Sequence, residues 1–106
     1  MVRHSWRTHL KASTDEREVV AIVARYLREW KPDEIEALPR GAWPGHVTTP
    51  RAVIEHAVEL ARLHAGHEGD RASLAYLQEM LLFFTHAAVA VARLAAVRAE
   101  APQPAD

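Results

Sequence analysis

Apolar positions recur with helical spacing along most of this chain. The longest such stretch runs from Asp70 to Arg98 and reads as one helix that is apolar on nearly every face. Its centre, Met80 to Ala92, contains no Asp, Glu, Lys or Arg. On a wheel at about 100° per residue, Leu74, Leu77, Met80, Leu81, Phe84, Ala88, Val91 and Ala95 form one broad side. Tyr76, Phe83, Ala87, Ala90 and Leu94 extend it, while Gln78, Glu79, Thr85, His86 and Arg93 share a polar sector. A helix apolar most of the way round must be covered on several sides, so this one is expected at the centre of the fold. Crossing a bilayer takes about 20 mostly apolar residues. The uncharged run is shorter, lies between Glu79 and Arg93, and holds His86. A buried helix of a soluble protein is therefore expected, with no membrane partner.

Two amphipathic helices and a short one precede it. The first is expected over 14–30, with Ser13 and Glu16 as a capping box. It turns Val19, Val20, Ile22, Val23, Tyr26, Leu27 and Trp30 inward. Pro32 and the acidic residues behind it predict a short helix over 33–38, ended by Pro39. Another helix opens at Thr49 with Pro50 in its first turn and stops at Gly66. Val53, Ile54, Ala57, Leu60, Ala61 and His64 form its apolar face. The link His67-Glu68-Gly69 is short, so this helix and the long one should lie antiparallel. Between the short helix and the one that opens at Thr49, residues 39–48 carry two glycines and two prolines and read as a loop. No strand and no internal repeat is legible. The fold class expected is all-α: a small bundle of three main helices plus one short helix, the long C-terminal helix central. Residues 1–12 are expected as a flexible arm, 13–98 as a single helical domain, and 99–106 as a disordered tail.

Composition narrows the chemistry. The chain has 106 residues, enough for one core. Thirteen basic and fourteen acidic side chains leave a net charge of −1, which supplies no general attraction to nucleic acid or anionic membrane. Absence of cysteine excludes disulfides, a thiol nucleophile and zinc–thiolate sites. The N-terminus lacks a charged segment followed by an apolar one, so a cytoplasmic location is expected. Eleven arginines against two lysines, with abundant alanine, point to a GC-rich bacterial coding sequence. Arg3, His4, Arg7, His9 and Lys11 precede the first acid, Asp15, and make the arm basic.

Seven histidines raise the question of a metal. Neither Glu-x-x-His on two helices nor His-Glu-x-x-His occurs, so no metal and no cofactor are expected. The serines lack a strand–turn–helix setting for a nucleophile, and no phosphate-binding glycine loop is present. The helix from Thr49 exposes two glutamates against two arginines, unsuited to reading DNA. The function expected is a non-enzymatic protein-interaction or regulatory helical module, homodimeric through the long helix. The rival is a small-molecule-binding or acid–base catalytic site formed by Trp43, His46, His64, Glu79 and His86. Trp43 and His46 come from the glycine- and proline-rich loop, where ligand sites often lie. His64, on an apolar face, would pair with Glu79 or His86 across the antiparallel helices.

Overall fold

The computed structural model describes residues 5–45 and 47–100. It is all-α: α1 (Ser5–Ala12), α2 (Glu16–Arg28), α3 (Pro32–Ala37), α4 (Pro50–Ala65) and α5 (Arg71–Glu100). No strand occurs among the described residues. The expected tail 99–106 begins as helix at Ala99 and Glu100 and then leaves the described residues.

Capping explains most of the boundaries. The Thr49 hydroxyl accepts from the Ala52 amide at 3.1 Å, and Asp70 accepts from the Ser73 amide at 2.8 Å, so α4 and α5 start where a side chain satisfies their orphan donors. The second helix starts later than the capping box predicts. Asp15, not Ser13, accepts from the amide two residues on, at 2.7 Å from Arg17. Ser13 instead closes α1. It is buried, and its hydroxyl donates to the His9 carbonyl at 3.0 Å.

Residues 5–12 thus form a helix rather than the expected flexible arm. Trp6 and Leu10 stand four apart, share one face, and are 6% and 2% exposed. The helix lies over α2 and α5. Its C-terminal carbonyls, those of Leu10 and Ser13, accept from the Arg93 guanidinium of α5 at 3.4 and 3.3 Å.

The long helix α5 packs against each of the other four helices, most extensively against α4. The His56 ring meets Phe84 edge-on at 4.8 Å, which sets the register of α4 on α5. Stacking of Tyr26 on Phe83 at 3.7 Å, and the Glu16–Arg98 ion pair at 2.6 Å, show that α2 runs antiparallel to α5 towards its C-terminal end. Helices α2 and α4 are therefore staggered along α5, and the stagger buries Ala87, Ala90, Val91 and Leu94. The broad side read from the wheel is rotated accordingly. Phe83 and Leu94 are buried, while Leu81, Ala88 and Ala95 stay half-buried. The same holds on α4, where His56 turns inward and Ile54, at 38% exposure, turns out. By length and composition alone α5 could cross a membrane, yet Leu77, Met80 and Phe84 are wholly enclosed by the other helices.

The loop between α3 and α4 packs down through Ala42 and Val47, both buried. Gly41 and Gly45 have φ of 92° and 77°, a backbone region that side chains disfavour.

Candidate functional site

Helices α1, α2 and α5 line a half-open cavity of about 300 Å³. Its walls follow from helical spacing. Trp6 and Leu10 come from the inner face of α1, Tyr26 from that of α2, and Glu79, Phe83 and His86 from successive turns of α5. The aromatic rings form a continuous surface. Trp6 meets Tyr26 at 5.8 Å and Phe83 at 6.1 Å, both edge-on. The Arg25 guanidinium lies 5.7 Å over the Trp6 ring, a cation–π contact worth about 0.5–1 kcal/mol at an exposed site. Arg7 and the exposed Leu82 complete the rim.

A smaller cavity of about 90 Å³ shares Arg7, Leu10 and His86 with the first. Its remaining walls are Lys11, Val89, Ala90 and Arg93, so among the described residues three cations and a histidine line it, without a carboxylate. Burial, together with Arg7 and Lys11 nearby, pushes the His86 pKa below the ordinary imidazole value.

Of the residues expected to form a site, two come together: Glu79 and His86 line the same cavity. His64 does not join them. It lies eight residues beyond His56 on α4, about 12 Å further along the axis, towards the start of α5 and away from His86. It is half-buried, where its apolar helical face predicts a largely buried ring, and its Nε2 has no hydrogen-bond partner among the described residues. Trp43 packs edge-on against Trp30 at 6.1 Å and lines neither cavity. His46 lies outside the described residues.

His56 is the histidine whose role the spacing conceals. Its Nε2 lies 2.7 Å from the Ala42 carbonyl, so that nitrogen carries the proton and donates. The bond ties the loop to α4, and burial lowers the His56 pKa against the opposing effects of this bond and of Glu59. Arg7, Lys11 and Trp6 also escape the sequence reading, which takes them for a mobile arm. The signal was present as Trp6 and Leu10 at helical spacing. No group of three or more His, Asp and Glu side chains placed to hold a metal occurs among the described residues. No protein-family model matches the chain, and the curated proteins and solved structures likewise yield no match.

Proposed function

We propose that this chain is a non-enzymatic helical interaction or regulatory module that pairs with a second copy of itself through α4 and α5. One observation carries the reading. Among the described residues, the α4–α5 hairpin is covered on one side only. Helix α2 rests on Phe83 and Tyr76, and the loop rests beside Glu59 and Leu63. The opposite side presents Ile54, Val58 and Ala61 from α4 with Gln78, Leu81, Thr85, Ala88 and Ala92 from α5, and no charge among them. Val58 is 65% exposed. Charged residues at its margin pair within α4, Arg51 with Glu55 and Arg62 with Glu59.

The uncharged face spans 54–61 of α4 and 78–92 of α5, about 12 and 22 Å, and strips about 10 Å wide along both give about 350 Å² per copy. Stable pairs bury about 800 Å² per partner, so this face forms the centre of the proposed interface and not the whole of it. Thr85, Ala88 and Ala92 are small enough for close approach, and a two-fold pairing would set four helices around a common apolar seam.

Light scattering at tens of micromolar protein tests the pairing. A mass twice 11.9 kDa is expected. Val58→Glu and Thr85→Glu, both at exposed positions, should restore the single mass with the helical circular dichroism unchanged. A single mass for the unaltered chain would overturn the proposal.

A further inference from the structure

We propose that the adjoining cavities beneath α1 bind a small amphipathic anion, an acyl or aryl monocarboxylate, with its apolar body on Trp6, Tyr26 and Phe83 and its acid group between Arg7, Lys11 and His86. The two cavities adjoin, with Arg7, Leu10 and His86 in the walls of both. The larger, at about 300 Å³, reaches the lower end of the range for small-molecule sites. Its aromatic floor offers an apolar body area without orienting it. Orientation comes from charge. Glu79 precedes His86 by seven residues on α5, about 10 Å along the axis, and belongs to the larger cavity alone. Lys11 and Arg93 belong to the smaller alone. The carboxylate end of a ligand is drawn to the smaller cavity, where Arg7, Lys11 and Arg93 gather.

The groups facing the acid are complementary in detail. Arg7 and Lys11 stand four apart on α1, on one face. Arg93 already donates to the Leu10 and Ser13 carbonyls, which fixes its guanidinium at the cavity wall. Two cations beside a partly buried imidazole are mutually unfavourable, and an anion between them relieves that repulsion and can take a hydrogen bond from His86. The site lies on the α1–α2 side of α5, so it stands independently of the pairing proposed above.

Isothermal titration with decanoate, below its micelle range, tests the site on the full chain. Decanol supplies the same chain without the charge, and vesicles of phosphatidylglycerol supply anionic headgroups fixed in a surface. Saturable one-to-one binding of decanoate is expected, at least about tenfold tighter than decanol, the worth of one charge-assisted contact. Arg7→Gln with Lys11→Gln should weaken decanoate about tenfold and leave decanol unchanged. The melting temperature of this doubly altered chain checks that the fold persists. Equal affinity for decanoate and decanol, failure of decanoate to bind, or binding to vesicles without binding to decanoate would each overturn the proposal.

Discussion

Phe84 is wholly buried, and it touches both His56 of α4 and Phe83 of its own helix. Replacing it with Ala should cost about 3–5 kcal/mol, a large share of the roughly 5–15 kcal/mol that holds a domain of this kind. Urea unfolding measures it, and a loss below about 1 kcal/mol would show that the core is not centred there. His56 makes a second case. Its pKa is lowered by burial, so the folded state favours the neutral ring. A depressed folded pKa means stability that is complete above the unfolded value of about 6.5 and is lost as pH falls through the folded one. His86 adds in the same direction, since burial and the Arg7 and Lys11 cations depress it as well. The chain should therefore unfold in less urea at pH 5 than at pH 7.5, and His56→Gln should narrow that difference. An equal difference in the variant would assign the acid sensitivity elsewhere. The sequence revealed Phe84 through its spacing but not His56, because a wheel averages over polar residues and cannot see that a loop carbonyl comes down onto one of them.

Helix starts at Thr49 and Asp70 were legible because a cap acts over three residues and needs no tertiary partner. Helix α1 was not. A segment of 8 residues is too short to hold a helix by itself, and its basic composition resembles a solvated terminus. What stabilises it is remote. Trp6 inserts against Tyr26 and Phe83, and Arg93 bonds the carbonyls where the helix stops. Arg93 is the lone charge in the apolar second half of α5 before Arg98, and its place beside those carbonyls accounts for that exception. Arg93→Ala should free α1 while leaving α2, α4 and the rest of α5 in place. Amide exchange is the measure. Protection in residues 8–13 should fall by about fivefold or more, the worth of about 1 kcal/mol of hydrogen bonding, with little change around Leu77 and Met80. Uniform loss along the chain would mean that α1 unfolds only with the remainder.

The cavity beneath α1 lay beyond sequence reading for a related reason. Its walls come from residues 6–10, 26 and 79–86, and only the packing of three helices brings them together. The case for pairing through α5 changes with the same packing. Length alone suggests that two shorter helices cannot cover a rod of about 45 Å. They do cover one side of it, by stagger, and Val91 lies inside the protein at 3% exposure. Val91→Asp would consequently damage the fold and report nothing about an interface. What remains uncovered is the flank of the α4–α5 hairpin, a surface set by topology rather than by the length of any helix. If a second copy covers it, unfolding and dissociation are linked, and the melting temperature must rise with protein concentration. A tenfold rise in concentration adds about 1.4 kcal/mol per dimer, hence about 0.7 kcal/mol per chain, which moves the midpoint by roughly 3–5 °C for a chain of this size. Melting curves from about 5 to 500 µM should show that slope, and Val58→Glu should abolish it. The altered chain should then melt at one temperature throughout, close to the value that the unaltered chain approaches on dilution. A midpoint independent of concentration in the unaltered chain would leave α4 and α5 without a second copy, and the uncharged flank open to solvent.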